Sequence, residues 1–299
     1  MARKSRLKRV TAFDAANVLL LAILCFIMLY PMLYIIGRSF MGATEKALNH
    51  WRVIPHNIRL DAYEYIVKRS SFVVDGLRNS ILRTLGGTAL DMLITLPMAY
   101  VLSKRNYPFR NQITGAVVFT MWFGGGLIPH YLLVKSLGLI DTFWALWLPG
   151  LVSSWNLLVM RNFFQMIPDS LEESAHIDGA NDFTVFVWII LPLSTASIAS
   201  IGLFYAVAHW NAWFDAMIYL NSSRKLPIQN LLRRVLTSLT SLGSDGIQMG
   251  EDTTTSSRTP TADVLQYACI TVTVLPILAV YPFLQKYFVK GVMAGSLKG

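Results

Sequence analysis

Long apolar stretches separated by short polar segments dominate the pattern along this chain. Six stretches are apolar enough to cross a bilayer, which needs about 20 residues of helix. They lie at about 13–37, 76–103, 112–136, 141–164, 189–218 and 262–286. An unpaired backbone is costly in lipid, so spans of this kind indicate helices. We therefore predict an all-α integral membrane protein with six transmembrane helices.

Basic residues in the short connections predict the orientation of these helices. They are Arg3, Lys4, Arg6, Lys8 and Arg9 before the first span, Lys104, Arg105 and Arg110 between the second and third, and Lys286, Lys290 and Lys298 at the end of the sixth span and after it. Cytoplasmic segments carry an excess of Lys and Arg, so we expect both termini in the cytoplasm. The outer loops are then about 38–75 and 219–261, and the insert at about 165–188 faces the cytoplasm.

The outer loops have different characters. The first contains the amphipathic stretch "LDAYEYIVKRS" and is expected to form a small cap. The second contains "SLGSDGIQMGEDTTTSSRTPTAD", whose Gly, Ser and Thr content predicts a mobile loop. We find no internal repeat, so we expect residues 1–299 to form a single transmembrane domain.

Composition supports a membrane protein. Charged residues make up 14% of the chain, against about 25% in a typical soluble domain. The net charge of +9 would suggest nucleic acid in a soluble protein, but here a basic tail precedes an apolar span, so we expect no nucleic-acid partner. Cys25 and Cys269 both fall in apolar runs and are interpreted as small buried residues rather than a disulfide.

The insert between the fourth and fifth spans carries "EESAHIDGAND" in an otherwise apolar region. Pro168 interrupts the preceding helix, and the S-x-x-E sequence at 170–173 predicts a capping box that starts a new one. Gly179 can end that helix in the left-handed conformation, and Asn181 or Asp182 can cap the next. The predicted structure is a helix, a tight turn and a second helix. Such a rigid polar knob suits docking to a soluble partner.

The spacing of this insert resembles the EAA-x3-G-x9-I-x-L-P signature of permease subunits of binding-protein-dependent ABC importers. Here it reads Glu173-Ser174-Ala175, three residues, Gly179, nine residues, then Ile189-x-Leu191-Pro192, with Ser174 where the family often has Ala. The sequences "KYFVKGVMAGSLKG" and "WNAWF" are similar to the sugar-importing branch. The stretches "GGGLIPHYLLVKSLGLIDTFWALWLPG" and "NLLVMRNFFQMIP" resemble the subgroup associated with polysaccharides and uronate-containing oligosaccharides.

The resemblance implies a transport subunit in the inner membrane of a prokaryote, crossing it several times, rather than an enzyme. It implies a homologous permease subunit as partner, two ATPase subunits and an extracytoplasmic solute-binding protein. ATP and Mg²⁺ would bind the ATPases, and this chain would bind no cofactor. The residues expected to couple the chain to the ATPase are Glu173, Ser174, Ala175, Asp178, Gly179, Ile189, Leu191 and Pro192.

Motifs for catalysis are absent from the sequence. The stretch "GGGLIPH" at 124–130 lacks the Lys-Ser/Thr of a P-loop, and its glycines are interpreted as sites of close helix packing. The five histidines show no metal-ligand spacing. We therefore expect no catalytic residue and no metal ligand.

Polar and aromatic groups inside spans are candidates for a sugar path, because aromatic faces stack on sugar rings and amides bond hydroxyls. The candidates are Trp155, Asn156, His209, Trp210, Asn211 and Trp213. The alternative is that Trp residues form interfacial belts, that Asn residues join helices and that His209 only packs. For Arg83 and Asp91 a helix–helix polar contact is expected rather than a transport role.

Two questions stay open at this level. The basic outer loops could attract an anionic oligosaccharide, an acidic binding protein or lipid head groups. A secondary transporter or channel working without an ATPase is the alternative function, although it would leave the signature insert unexplained. A membrane enzyme is a third class, which the missing motifs disfavour.

Overall fold

A computed structural model describes residues 11–42, 45, 52–69, 71–234, 237 and 264–279. The basic tail before residue 11, the Gly/Ser/Thr-rich sequence at 241–263 and the C-terminal motif at 286–299 lie outside these residues. Every regular element in the described part of the chain is helical, which confirms the all-α prediction. The chain divides into two units, residues 1–69 with 239–272 and residues 70–238 with 273–299.

In the first unit, helix α1 (Ala12–Ser39) is the most apolar helix, with a mean hydropathy of 2.6 over its most apolar 18 residues. Its start is fixed by a capping box, in which the Thr11 side chain accepts from the Asp14 amide and Asp14 accepts from the Thr11 amide at 3.0 Å. Side chains along most of α1 are exposed, as expected of a helix that meets lipid.

Helix α2 (Asp61–Arg69) forms where the amphipathic stretch of the first outer loop was noted. Its Tyr63 ring stacks on Phe40 at 5.1 Å, and its hydroxyl lies 2.6 Å from Ser39 Oγ. Ala62 and Ile66 are buried beneath it. The loop segment therefore folds back on the end of α1, as an amphipathic helix does when one face is covered.

The second unit is built around the long helix α3 (Ser71–Ser103). It is followed by α4 (Arg110–Trp122), α5 (Leu127–Ser136), the short α6 (Trp144–Trp147) and α7 (Ser154–Gln165). Then come α8 (Asp169–Ile177), α9 (Asp182–Leu193), α10 (Thr195–Asn211) and α11 (Phe214–Tyr219). The last described helix, α12 (Val264–Ala279), begins in the first unit and ends in the second.

The core of the second unit lies where α3 packs along α7 and α10. Its buried side chains include Tyr100, Leu157, Met160, Val185, Ile190 and Tyr205. Tyr100 meets Phe186 at 5.0 Å and the edge of Phe164 at 6.2 Å, so one aromatic side chain joins α3, α7 and α9. This packing holds the insert between α7 and α9 against the end of α3.

Bends divide the predicted third and fifth spans. The 112–136 stretch is not one straight helix, because α4 and α5 meet at 116° across Phe123–Gly126. The fifth stretch bends by 83° between α9 and α10, at Ser194. By length and composition, α1 and α3 could cross a membrane alone, and each bent pair could form one further span among the described residues.

Three further predictions from the sequence differ from the structure. The predicted fourth span, 141–164, is α6, a turn at Leu148–Gly150 and α7 rather than one helix. The glycines at 124–126 do not mediate packing within the described chain, because a Cβ there would meet nothing within 4 Å; they occupy the bend instead. Cys25 is exposed rather than buried, because it lies on α1, whereas Cys269 is buried; the two form no disulfide, as expected.

Candidate coupling insert and polar groups of the helical bundle

The insert folds as a helix, a tight turn and a second helix, as its sequence predicts. Helix α8 ends in a Schellman motif: the Gly179 amide donates to the His176 carbonyl at 3.0 Å, and the Ala180 amide donates to the Ala175 carbonyl at 2.9 Å. Gly179 has φ +87°, a conformation that side chains with a Cβ rarely adopt. The turn therefore depends on glycine for its backbone rather than for close contact, since the space beside it is open in this chain.

The predicted capping box at 170–173 is wrong. Helix α8 starts two residues earlier than this box implies, at Asp169, with Pro168 in extended conformation as its cap residue and no side-chain cap bond. Ser170 is already inside the helix, where its carbonyl accepts from the Ser174 hydroxyl at 2.9 Å. The reason is that Pro168 supplies the turn into the helix, and acidic Asp169 and Glu172 in the first turn favour its N-terminus.

The second helix of the insert is capped by Asn181, one of the two predicted residues. Its side-chain oxygen accepts from the Thr184 amide at 2.8 Å. His176 braces the same turn: its Nδ1 lies 2.9 Å from the Ala180 carbonyl and its Nε2 lies 3.5 Å from Asp182. The two helices are thus tied together on both sides of Gly179, which makes the insert a rigid unit.

An ion pair connects the insert to the end of α3. Lys104 donates to Glu172 on α8, and its ammonium lies 4.4 Å from the centre of the Tyr100 ring. Ala175 and Ala180 pack against the core of the second unit. The inner face of the insert is therefore fixed to the bundle.

The remaining predicted coupling residues divide between exposed positions and the core. Glu173, Ser174, Asp178 and Gly179 are exposed around the tip of the insert. Ile189 and Leu191 pack against the core from α9, and Pro192 is exposed near its end. Residues Phe186–Ile190 of α9 form a π-helical turn. The motif therefore covers an exposed tip and the buried stem that carries it.

His209, a predicted path residue, is paired inside the bundle. Its Nε2 lies 2.8 Å from Oδ2 of Asp91 on α3, whose side chain is almost fully buried. The imidazole occupies the space beside Gly87, where an added Cβ would lie 2.4 Å from Nε2. The backbone of α3 thus approaches the ring closely enough that only glycine fits.

Arg83 and Asp91 make helix–helix contacts, as expected. Buried Arg83 forms an ion pair with Asp215 on α11 and donates to the Ala212 carbonyl at 3.0 Å. The Trp147 indole donates to the backbone carbonyl of Arg83 at 3.1 Å. Charged groups inside the bundle therefore fix α3 against α10 and α11.

The other predicted path residues differ in burial. Asn156 is buried at the start of α7, beside the Tyr205 hydroxyl, which also accepts from the Ser153 amide at 3.1 Å and lies 2.8 Å from Thr95 Oγ1. Trp155 points away and is 63% exposed. Tyr205 thus brings the Asn156 end of α7 to α10, the helix of His209, and leaves Trp155 outside this cluster.

At the end of α10, Trp210 is buried and its indole N–H has no hydrogen-bond acceptor among the described residues. Asn211 is exposed. The guanidinium carbon of Arg233 lies 3.6 Å from the centre of the Trp213 ring. The guanidinium therefore covers one face of the Trp213 ring and keeps its charge at the surface.

Sequence reasoning missed Tyr205, Thr95 and Arg233 as partners of the path candidates. The pairing of Asp215 with Arg83 was not predicted either. One signal was available: the Gly86-Gly87 pair in the middle of an apolar helix indicates close approach of another group. In the structure the Trp147 side chain packs against Gly86, and the His209 side chain packs against Gly87.

A further ion pair joins two connecting segments between helices. Lys225 donates to Asp141 Oδ2 at 2.7 Å, and the Asn221 and Ser222 amides each donate to Oδ1 at 3.1 Å. These bonds, the Lys225 bond first, lower the pKa of Asp141 below its ordinary value. The carboxylate therefore fixes the segment after α11 to the turn between α5 and α6.

Comparison with known proteins gives one consistent result. The chain is 45% identical to Protein LplC of Bacillus subtilis, with 96% of this chain and 95% of that protein covered. It is 44% identical to the polygalacturonan/rhamnogalacturonan transport system permease protein YtcP of the same organism, with 94% and 95% covered. A crystal structure of a bacterial ABC transporter involved in the import of the acidic polysaccharide alginate matches with a TM-score of 0.82 and 29% identity, covering 96% of this chain and all of the matched one.

The family comparison agrees with the geometry of the insert. Residues 73–294 match the family described as the inner membrane component of binding-protein-dependent transport systems. This match covers the insert, the bundle and the apolar helix α12. Relatives of this kind are transport subunits rather than enzymes. The chain therefore belongs to the family of binding-protein-dependent transport system inner membrane components, and it is a permease subunit of an ABC importer.

Proposed function

We propose that this chain forms half of the translocation path for an acidic, uronate-containing oligosaccharide and couples that path to a separate ATPase through the 170–192 segment. A homologous permease subunit supplies the other half, two ATPase subunits bind ATP and Mg²⁺, and a solute-binding protein delivers the sugar. In this proposal the chain crosses the cytoplasmic membrane of a prokaryote six times, with both termini in the cytoplasm.

One observation carries the coupling role: a rigid polar knob stands at the end of a helix that continues into the bundle. The tip residues Glu173 and Asp178 are exposed, while Ile189 and Leu191 on the stem pack against the core. A partner that binds the exposed tip can therefore move the helices of the bundle through the insert, which itself does not bend. The Lys104–Glu172 pair supports this, because it makes the end of α3 move with α8.

The substrate class rests on the relatives and on the chemistry of the chain. YtcP is named for polygalacturonan and rhamnogalacturonan, and the matched structure belongs to an alginate importer. In this chain Trp213 carries the exposed guanidinium of Arg233 on its face. A uronate sugar presents an apolar ring surface and a carboxylate, which match an aromatic ring and an arginine.

The test of coupling uses two glycines in the same backbone environment. Gly138 ends α5 in a Schellman motif like that of Gly179, with φ +68° and its amide 3.0 Å from the Lys135 carbonyl. Proline at either position removes the same hydrogen bond and cannot adopt a positive φ. We expect Gly179→Pro to abolish sugar uptake per ATP hydrolysed in the reconstituted transporter, and Gly138→Pro to preserve that ratio among correctly assembled molecules.

The outcomes separate the hypotheses. If both variants keep the ratio of uptake to hydrolysis, the insert is not the coupling element. If the chain alone transports sugar in vesicles without an ATPase, the secondary-transporter alternative takes the place of this proposal. The substrate is tested separately, by comparing uptake of oligogalacturonides with uptake of neutral oligosaccharides of the same length.

A further inference from the structure

A basic cavity of about 530 Å³ lies beside the coupling insert. Its walls come from the α3–α4 connection, with Lys104, Arg105 and Arg110, and from the α7–α8 connection, with Gln165 and Asp169. We call it the basic cavity. Three cations and one carboxylate therefore line the same partly open cavity.

The positive charge of the basic cavity is only partly neutralised. Lys104 is paired with Glu172 on α8. No ion pair joins Arg105 or Arg110 to a carboxylate within the described ranges, and Asp169 is exposed at the rim. Like charges held close together in a partly enclosed space repel each other, so this arrangement favours a bound anion.

Two guanidinium groups converge on one neutral side chain. With its amide oxygen turned toward them, Gln165 accepts from Arg110 Nη2 at 2.6 Å and from Arg161 Nη2 at 3.3 Å. Arg161 also donates through Nε to the Leu102 carbonyl at 3.0 Å, which fixes its position. The Nε of Arg110 is buried and has no acceptor in the part of the chain that the structure describes. Arg110 therefore lies at the wall of the basic cavity with a second guanidinium group close by.

The donor set fits the oxygens of a phosphate group. Guanidinium groups present parallel N–H donors that match phosphate in a bidentate arrangement. Helix α4 begins at Arg110, so its positive end lies at the same place. A volume of this size holds a phosphate with part of a glycerol head group.

The surroundings of the basic cavity match the membrane interface. Tyr107 and Phe109, in the α3–α4 connection, are 41% and 70% exposed. Aromatic side chains of this kind concentrate at the level of lipid head groups, and basic pockets there bind anionic lipids. The connection belongs to the cytoplasmic side in the orientation that its Lys and Arg content predicts.

We propose that the basic cavity binds a phosphate group, as the head group of an anionic phospholipid or as free phosphate, through Arg105 and Arg110. A bound phosphate would join the α3–α4 connection to the start of α8 and stabilise the position of the insert. This site is independent of the substrate path and of the identity of the sugar.

The test uses the assembled transporter, purified with its partner permease and ATPases. Complexes are placed in phosphatidylcholine nanodiscs with or without a minor fraction of phosphatidylglycerol, extracted in mild detergent, and analysed by native mass spectrometry for retained phosphatidylglycerol. We expect the Arg105→Gln/Arg110→Gln variant to retain about tenfold less, the loss that removal of charge-assisted hydrogen bonds produces. Arg78→Gln is the control, because this exposed arginine lies near the opposite end of α3.

A second arm distinguishes the two sources of phosphate. Lipid-free complex in detergent is titrated with inorganic phosphate while its thermal unfolding is measured. Stabilisation by phosphate that is lost in the double variant, without selective lipid retention, assigns the site to free phosphate. Selective lipid retention assigns it to a head group.

Folding of the variants is controlled by gel filtration and by co-purification of the ATPases. Arg105→Gln alone changes only an exposed side chain and serves if Arg110→Gln fails to assemble. Arg110→Lys keeps the positive charge but loses the parallel N–H donors of the guanidinium group. We expect this variant to retain an intermediate amount of phosphatidylglycerol. Equal phosphatidylglycerol retention and equal phosphate response in the wild type and in whichever variants assemble would overturn the proposal.

Discussion

The Nε2 atom of His209 lies 2.8 Å from Oδ2 of Asp91, which joins α10 to α3 in the interior of the bundle. The contact is possible because Gly87, one turn before Asp91, leaves room for the imidazole ring. A path candidate of the sequence is therefore also a structural link between two helices. Variants at this pair can separate a role in transport from a role in packing.

Replacing Gly87 with alanine should break this link. The new Cβ would lie 2.4 Å from His209 Nε2, so the ring or the helix must move. We expect a loss of about 1–3 kcal/mol in stability, the usual cost of overpacking, measured as a lower thermal unfolding midpoint of the reconstituted complex. Gly115→Ala is the matched control, since a Cβ there would meet nothing within 4 Å. An equal effect of the two changes would refute the close approach.

The buried Arg83–Asp215 pair should show strong coupling in a double-mutant cycle. Arg83→Ala leaves the Asp215 carboxylate without its ion-pair partner and the Ala212 carbonyl without its donor. Breaking a fully buried pair typically costs about 3–5 kcal/mol, and the loss here should be smaller because the Asp215 side chain is 30% exposed. We expect the double variant Arg83→Ala/Asp215→Ala to be no less stable than Arg83→Ala alone. Simple additivity of the single changes would show that the two side chains do not interact.

Exchange of the charges at Lys104 and Glu172 should test the connection between the insert and α3. Glu172→Lys alone places two cations together and should lower uptake per ATP hydrolysed severalfold. The double variant Lys104→Glu/Glu172→Lys should recover part of the ratio, but not all, because the stacking of Lys104 on Tyr100 is lost. The measurement is uptake and hydrolysis on the same proteoliposomes. No recovery in the double variant would mean that the ion pair does not transmit movement.

The Asp141–Lys225 pair predicts a dependence of stability on pH. The pKa of Asp141 is lowered in the folded protein, so its contribution is present above the ordinary carboxyl pKa and is lost as pH falls through the lower folded value. Asp141→Asn should therefore lower stability by about 1 kcal/mol or less near neutral pH. The difference should shrink below about pH 4, first as the carboxyl is protonated in the unfolded chain and then, at lower pH, in the folded protein. Unfolding midpoints of both proteins across this range give the answer, and a difference that grows in acid would contradict it.

The Arg233–Trp213 contact predicts a preference for charged sugars. Arg233→Gln removes the cation but keeps the length and polarity of the side chain near the Trp213 ring. We expect uptake of an oligogalacturonide to fall about tenfold, the typical loss for one charge-assisted bond, while uptake of any neutral oligosaccharide is unchanged. Arg224→Gln is the control, as another exposed arginine of the same unit. An equal loss for charged and neutral sugars would assign Arg233 to folding or to the binding protein.

The insert could be predicted from sequence because its signals are local. Proline, glycine and a capping asparagine act within a few residues, and the spacing between Gly179 and Pro192 is fixed along one chain. The start of α8 was placed wrongly for the same reason: two local signals competed, and the Pro168 turn prevailed over the Ser170 box.

The bends and the buried pairs could not be predicted in this way. Hydropathy averaged over a window does not show a change of direction, so 112–136 reads as one apolar stretch although α4 and α5 meet at 116°. The partners of Arg83 and Asp91 are more than a hundred residues away along the chain, and nothing local identifies them. Only the packing of α3 against α10 and α11 brings these groups together.

The near-perpendicular bend at Ser194 would make α9 a lever arm for movement transmitted from the ATPase. With twelve residues from Asp182 to Leu193, the arm is roughly 18 Å long. A tilt of about 10° around the bend would shift the far end by roughly 3 Å, which equals the rise of two residues along a helix. Angular motion at the ATPase would thus become a translation comparable to the offset between neighbouring side chains. In this proposal the length of α9 would set how far a given rotation at the ATPase moves the helices of the path.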